Sequence, residues 1–157
     1  MTRWLNEKQQ RIWRDWLTAS QLLEDELNRE LQESFGISGS DYEILARLSD
    51  SPLRRIRMSE LAKQVLISRS RLSHQIDRME ASGLVSRQVC EDDKRGQFVV
   101  MTDQGWKLIV AAAHVHVTGV RKHFVDQLSD AEYEALGKAV KKIATHLDEG
   151  NETSKAK

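Results

Sequence analysis

The sequence predicts a mainly α-helical fold with one small β-hairpin, framed by long helices near both ends of the chain. Three observations lead to this prediction. The 157 residues include one proline and only eight glycines, so few positions interrupt helices. Apolar residues recur at helical spacing from Trp4 to Ser34 and again after Thr102. Between these segments, residues 84–89 and 97–101 run or alternate apolar as strands do, around a polar tip.

The first predicted element is a helix of about 30 residues, because no Gly or Pro occurs from Trp4 to Ser34. Its apolar residues form two neighbouring stripes. They are Ile12, Trp16, Ala19, Leu23, Leu27 and Leu31 in one, and Trp13, Leu17 and Leu22 in the other. A helix this long with two apolar faces needs a large surface to pack against. We expect a second copy of the chain to supply it, and so predict a homodimer.

A second helix is predicted to follow the glycines at positions 36 and 39. The segment Ser40-Asp41-Tyr42-Glu43 predicts a capping box, with Ser40 at the N-cap and Glu43 three residues later. Tyr42, Leu45 and Leu48 then follow at helical spacing. This helix is expected to end before Pro52.

Two short helices and a hairpin come next. Ile56–Val65 predicts a short extended piece and a short helix, and Ser68 begins another helix that Gly83 ends. The strands Leu84–Val89 and Gln97–Met101 then form the hairpin. Two short helices joined by a tight turn and followed by a hairpin make a winged helix-turn-helix.

The C-terminal part is predicted to be helical. Thr102 is expected to cap one helix, and Ser129 and Glu132 to form the capping box of the next. The polar residues that end the chain are expected to be disordered. The predicted division is a helical dimerisation region (1–35 and 103–148), a winged helix-turn-helix region (36–102) and a polar tail (149–157).

Charge is unevenly distributed along a chain whose formal net charge is zero. From Arg54 to Arg95 there are ten basic and six acidic residues, a net charge of +4. The remaining 14 basic and 18 acidic residues give −4. A basic centre of this kind suits phosphate binding with release of counterions, provided that the acidic remainder faces away.

The helix that begins at Ser68 carries the candidate DNA-reading residues. Its inward stripe is predicted to be Leu72, Ile76 and Met79, which leaves hydroxyl and basic side chains elsewhere on the helix. Small hydroxyls allow close approach to base edges, and Arg can bond guanine through two hydrogen bonds. The alternative is an ordinary solvated face. The candidates are Ser68, Arg69, Ser70, Arg71, Ser73, His74 and Arg78.

The hairpin tip holds a second candidate group. Lys94 and Arg95 lie beside Asp92 and Asp93 in the polar stretch between the two strands. A cation at the end of a protruding ribbon can enter the narrow minor groove, where the potential is most negative. The alternative is an ordinary charged turn.

Several of these segments resemble one known family, the MarR regulators. Leu61–Val65, Ile67–Ser73, Asp77–Glu80 and Gly83–Val85 are similar to its helix-turn-helix without a gap. Asp93-Lys94-Arg95 resembles the family's Asp-x-Arg wing motif. Val100-Met101-Thr102 and Gly105 follow at the expected distance, and the resemblance covers nearly the whole chain.

The resemblance implies a homodimeric regulator, usually a repressor, that binds a short palindromic operator. It implies that the helix from Ser68 reads the major groove, that Arg95 enters the minor groove, and that Asp93 holds Arg95 by an ion pair. Two positions depart from the family: Leu66 stands where Gly is frequent in the turn, and His74 where Arg is common. Local geometry is expected to absorb the first, and the second to change operator preference.

The resemblance also bears on regulation. Many members are released by small phenolic or other aromatic ligands, in a cavity where the first helix meets the DNA-binding part. Trp13 and Trp16 are therefore candidates for lining such a pocket, with an ordinary core or interface role as the alternative. Other members respond to oxidation of a cysteine. A redox-responsive regulator that acts through Cys90 is therefore an alternative, although this single cysteine lies far from the position usual in those members.

Other function classes lack support in the sequence. No phosphate-binding glycine loop and no constellation of catalytic side chains is present, so we expect neither an enzyme nor a cofactor. His114 and His116 point to different faces of one helix, and we expect no metal site. A lone cysteine, no signal segment and no long apolar run predict a cytoplasmic protein without a membrane span. A helical module that binds an acidic partner protein remains the alternative from another class.

Overall fold

The computed structural model describes residues 1–90 and 96–155, with side chains as far as residue 149. This part of the chain contains six α-helices and one three-stranded antiparallel sheet, which confirms the predicted mainly α fold. In chain order the elements are α1 (Glu7–Phe35), α2 (Gly39–Asp50), β1 (Arg55–Arg57), α3 (Met58–Gln64), α4 (Arg69–Ala81), β2 (Val85–Val89), β3 (Gln97–Met101), α5 (Asp103–His123) and α6 (Asp130–Lys155).

The chain forms two compact units, Met1–Thr118 and Gly119–Lys157, and the boundary between them falls inside α5. The predicted division into dimerisation and DNA-binding regions is a division by function and not by compactness, so it stays a prediction. Within the described residues, no helix combines the length and the apolar character that a membrane crossing requires.

The long helix α1 has a defined start and stop. Asn6 caps it in a reciprocal box with Gln9, and Gly36 ends it in the left-handed conformation with φ of 67°. Leu31 is the one α1 residue that is buried in the single chain. The predicted apolar stripes are otherwise largely open, and Ile12, Trp13, Trp16, Leu17 and Leu22 are exposed.

The predicted capping box of α2 is wrong by two residues. Ser38, not Ser40, is the N-cap, and its Oγ accepts a hydrogen bond from the Asp41 N–H at 3.1 Å. The Asp41 carboxylate in turn accepts from the Ser38 N–H at 3.0 Å. Glu43 is not needed for capping and pairs with Arg47 instead. Two overlapping Ser-x-x-acid patterns compete here, and the earlier one forms the cap.

The core of the first unit lies beneath α2, α3, α4 and the sheet. The inward stripe predicted for α4 is confirmed, because Leu72 and Ile76 are fully buried and Met79 is nearly so. The other residues of this core with no exposed side-chain surface include Leu45, Leu48, Leu61 and Val99. This packing fixes which side of α4 faces outward.

The sheet has the order β1-β3-β2, with both pairs antiparallel. Ile56 of β1 lies opposite Val99 of β3, and both side chains are buried. Because side chains alternate along a strand, Arg55 and Arg57 point to the outer face. The two hairpin strands lie where the sequence predicted them, and β1 adds a short third strand.

The turn between α3 and α4 is tight. Leu66 has a φ of 55°, and the Ile67 N–H donates to the Ala62 carbonyl at 3.1 Å. The left-handed conformation costs a residue with a Cβ roughly 1–2 kcal/mol. Leu66 therefore occupies a position whose backbone suits Gly, and the strain stays local because its side chain is 89% exposed.

The start of α5 and the second unit follow the predicted caps. The Thr102 Oγ1 accepts from the Gly105 N–H at 3.0 Å, and the Ser129 N–H donates to the Glu132 carboxylate at 2.9 Å. Residues 149–157 were predicted to be a disordered tail, whereas α6 continues to Lys155. No proline occurs between Leu147 and Lys155. The single glycine in this stretch, Gly150, costs a helix only about 1 kcal/mol.

Candidate nucleic-acid interface

The predicted DNA-reading residues lie on the outward side of α4. Ser68 is its N-cap, and its Oγ accepts from the Arg71 N–H at 3.2 Å. All seven candidates on this helix reach the surface. Ser68, Arg69, Ser70, Arg71, His74 and Arg78 are exposed, and Ser73 is half-buried. Their contacts with DNA stay predictions.

These candidates spread around more than half of the circumference of α4. At about 100° per residue, Ser70 and His74 lie opposite the buried stripe of α4. Arg78 lies on one flank, where it lines a cavity of about 560 Å³ together with Asp41 of α2. Arg69 and Ser73 lie on the other flank, beside the wing strands. The structure therefore separates Arg78 from Arg69.

Arg87 of β2 holds α4 against the wing, which is the hairpin formed by β2 and β3. Its guanidinium contacts the Asp77 and Glu80 carboxylates of α4, each at 2.7 Å, and donates to the Ser73 carbonyl at 3.1 Å. Only 18% of the Arg87 side chain is exposed. These hydrogen bonds involve charged groups and are therefore stronger than neutral ones. The orientation of α4 relative to β2 is fixed by a residue that the site prediction did not include.

The opposite side of α4 is tied to α2. Gln75 is 5% exposed, and its Nε2 donates to the Asp41 carboxylate at 3.1 Å. The same carboxylate caps α2 through Ser38. Two polar connections thus hold the helix from both sides. Such preorganisation lowers the ordering cost of binding.

Three arginines that lie before α3, outside α4, also belong to the basic centre of the chain. Arg54 stacks over the Trp106 ring at 3.8 Å, and Arg55 and Arg57 stack over Phe98 at 4.7 and 5.5 Å. The three residues were counted in the basic centre but not singled out as a site. The run Arg54-Arg55-x-Arg57 ahead of a short helix was the available signal.

The predicted wing-tip group lies outside the described residues. This applies to Asp93, Lys94 and Arg95, and to the ion pair expected between Asp93 and Arg95. The strands that lead to and from the tip are present, and the Cys90 N–H donates to the Gly96 carbonyl at 3.0 Å. The minor-groove role of Arg95 stays a prediction.

The residues considered for regulation have distinct environments. Trp13 and Trp16 of α1 are 53% and 47% exposed in the single chain, and their place in a ligand pocket stays a prediction. Cys90 is 1% exposed. A redox sensor needs an accessible thiol, so burial disfavours the redox alternative.

A half-buried aromatic pair links α2 to α5. The rings of Tyr42 and His116 lie 4.2 Å apart, and the His116 Nδ1 is buried without a hydrogen-bond partner among the described residues. Burial lowers the pKa of His116, although the carboxylates of Glu43 and Glu30 oppose this. Burial also raises the pKa of the Tyr42 phenol, and Glu43 adds to that effect.

Comparison with known proteins gives a consistent result. A family model described as MarR family matches residues 35–96. The structure of AbsC, a MarR family transcriptional regulator from Streptomyces coelicolor, has a TM-score of 0.90 and 47% identity. The alignment covers 94% of this chain and 99% of that one.

Two further relatives agree. Sco3205, a MarR family transcriptional regulator from the same organism, was solved in complex with DNA; it has a TM-score of 0.90 and 42% identity over 93% of this chain and 92% of that one. The regulator PecS of Dickeya dadantii is 27% identical over 83% of this chain and 79% of its own length. All three are described as transcriptional regulators, none as an enzyme.

Proposed function

This chain belongs to the MarR family of transcriptional regulators, and we propose that it binds a short palindromic DNA duplex as a homodimer. One α4 helix from each subunit would enter the major groove. The two half-sites would then lie about one helical turn apart, roughly 34 Å. The first-turn residues Ser68, Arg69, Ser70 and Arg71, with Ser73 and His74 behind them, would contact bases or adjacent phosphates.

The observation that carries this proposal is that α4 exposes basic side chains on its outward side and is held in place by contacts on both flanks. Its outward side presents Arg69, Arg71 and His74 to solvent. Its position is held by Arg87 on one side and by Gln75 on the other. An exposed basic helix on a preorganised support is what major-groove reading requires. The relative Sco3205 was solved in complex with DNA, which supports DNA as the ligand.

The homodimer is proposed from the apolar surface that the single chain leaves open. In the first unit this surface is on α1, where Trp13, Trp16 and Leu17 are each about half exposed. In the second unit it is on α6, where Ile143 and Leu147 are 59% and 60% exposed. Apolar stripes of this extent on helices usually mark an interaction surface.

We further propose that the protein acts as a repressor released by a small aromatic ligand. Trp13 and Trp16 would line the ligand site, where their rings offer stacking surfaces. A panel of aromatic acids and phenols, tested for loss of operator binding, would identify the ligand class. The variant Trp16→Ala should then reduce the factor by which the ligand lowers operator affinity, measured relative to the ligand-free affinity of the same variant.

The experiment that tests DNA reading is selection from randomised duplex DNA. We expect enrichment of a palindrome that binds two chains per duplex. Its affinity should fall steeply with salt, because counterions are released from the phosphates. Absence of enrichment from ligand-free protein would contradict the proposal. DNA binding that is independent of salt, or absent, would favour an interaction module for an acidic protein.

A further inference from the structure

The outer face of β1 forms a basic surface that the α4 candidates do not include. Arg55 and Arg57 lie two residues apart on this strand, so both point to the same side of the sheet. Both guanidinium groups stack over the one Phe98 ring of β3. Among the described residues, neither has a carboxylate within ion-pair distance. The two positive charges over one ring repel each other, and an anion bound between them would offset this repulsion.

The backbone that leads into β1 is strained. Leu53 and Arg54 are consecutive residues in the left-handed region, with φ of 58° and 51°. This conformation costs a residue with a Cβ roughly 1–2 kcal/mol, and such strain clusters at functional sites. The Ser51 hydroxyl closes the turn by donating to the Leu48 carbonyl at 2.9 Å, with a longer 3.2 Å contact to the Arg55 carbonyl. The turn therefore fixes the positions of Arg55 and Arg57 on β1.

A cleft of about 410 Å³ separates Arg57 from Arg69, the first residue of α4. Gly96 and Gln97, at the base of the wing, complete its wall, and Ser73 lies on the α4 side. The nearby guanidinium of Arg87 is already neutralised by Asp77 and Glu80. Arg69, like Arg57, has no ion pair among the residues that the structure describes. Two unpaired cations across one open cleft suit an anionic ligand.

We propose that Arg57 and Arg69 together bind one phosphate of the duplex backbone, and that Arg55 extends this contact along the flanking DNA. The inference rests on the proposed function and deepens it. The surface adds affinity and sets the position of the protein on the duplex, while α4 supplies base reading. It predicts that β1 contributes to binding of every sequence to the same extent.

The test compares four variants on two duplexes of equal length, the selected palindrome and a scrambled version, by fluorescence anisotropy over a range of salt. Arg57→Gln and Arg55→Gln remove the proposed contacts, whereas Arg57→Lys keeps the charge. Arg47→Gln is the matched control, because it removes the same charge from α2, where the guanidinium already pairs with Glu43.

We expect Arg57→Gln to weaken binding of both duplexes by the same factor, roughly three- to tenfold at 0.1 M salt. The slope of log K against log salt should become shallower by about one per subunit. Arg55→Gln should act in the same direction and lose its effect on a duplex trimmed to the palindrome alone. Arg57→Lys keeps the positive charge and should retain the wild-type slope. A shallower slope in Arg57→Gln but not in Arg57→Lys would then reflect the lost charge and not a folding defect.

An unchanged slope for Arg57→Gln, with normal binding by the wild type, would overturn this inference and leave the proposed function intact. A loss confined to the selected palindrome would overturn it as well, because that result assigns Arg57 to base reading. If the wild type bound neither duplex, the proposed function would fail and this inference with it.

Discussion

Arg87 of β2 and Glu80 of α4 are joined at two points. The Arg87 guanidinium lies 2.7 Å from the Glu80 Oε2, and the Arg87 backbone N–H donates to the Glu80 Oε1 at 2.9 Å. The second contact fixes the strand itself and not only the side chain. The angle between α4 and the wing is therefore set by residues that face each other and leave the outer side of α4 free.

Replacing this arginine should affect both folding and recognition. We expect Arg87→Ala to lower the free energy of unfolding by about 1–2 kcal/mol, a moderate loss because Asp77 and Glu80 are partly solvated. Urea unfolding measures this loss. Arg47→Ala removes an exposed pair within one helix and should cost about 0.5 kcal/mol or less. Equal losses for the two variants would argue against the role of Arg87.

Recognition offers a second readout for the same residue. If Arg87 positions α4, its removal should reduce the preference for the selected palindrome over a scrambled duplex. Non-specific binding should change less, because most of the basic surface remains. A uniform loss on both duplexes would indicate that Arg87 itself binds phosphate.

Gly105 in the first turn of α5 should not tolerate a side chain. A Cβ there would overlap the Leu84 carbonyl oxygen, which is backbone and cannot move aside easily. We expect Gly105→Ala to lower the free energy of unfolding by about 2–3 kcal/mol. Gly137 of α6 is the control, since a Cβ there meets nothing within 4 Å. Gly137→Ala should be neutral or stabilise by up to about 1 kcal/mol, and thermal unfolding would reveal whether the two changes differ as expected.

Leu66 in the turn before α4 should respond in the opposite way. Leu66→Gly relieves roughly 1–2 kcal/mol of left-handed strain, while the added freedom of the unfolded chain costs about 0.4–1 kcal/mol. Because the side chain is exposed, little packing is lost. We expect a net gain of about 0.5–1 kcal/mol in urea unfolding. Leu66→Ala keeps the strain and should be near neutral; a gain of the same size from Ala would refute the explanation.

His116 should make stability depend on pH. Burial lowers its pKa in the folded state below the usual 6.5. The unfolded chain then binds the proton more readily, so stability should fall as the pH drops below about 6.5 and level off once it passes the folded pKa. His116→Phe keeps a ring against Tyr42 and should remove this component. Urea unfolding between pH 5 and 7.5 compares the two proteins, and identical pH profiles would contradict the prediction.

Local signals in the sequence were sufficient for most of the fold. The cap at Thr102, the left-handed Gly83 and the two hairpin strands depend on residues close in sequence, and each lies where it was predicted. The inward stripe of α4 followed from helical periodicity alone. The outward residues could be named for the same reason, because the two sides of a helix determine each other.

Contacts between distant residues account for what the sequence left open. The α2 cap is at Ser38 because Asp41, its partner, is also held by Gln75 from 34 residues away. Arg87 reaches across 7–14 residues to α4. No local pattern distinguishes such an arginine from one that faces solvent. The strained turn before β1 was likewise hidden, because neither Leu53 nor Arg54 is a residue type that favours positive φ.

The proposed function requires that α4 reads duplex DNA by sequence. Its most direct test is the ratio of the dissociation constants for a scrambled duplex and for the selected palindrome, measured at physiological salt with wild-type protein and with Arg71→Ala. We expect a ratio of about a thousandfold or more for the wild type, and a clear reduction for the variant. A wild-type ratio near one would contradict it, since binding would then rest on charge alone.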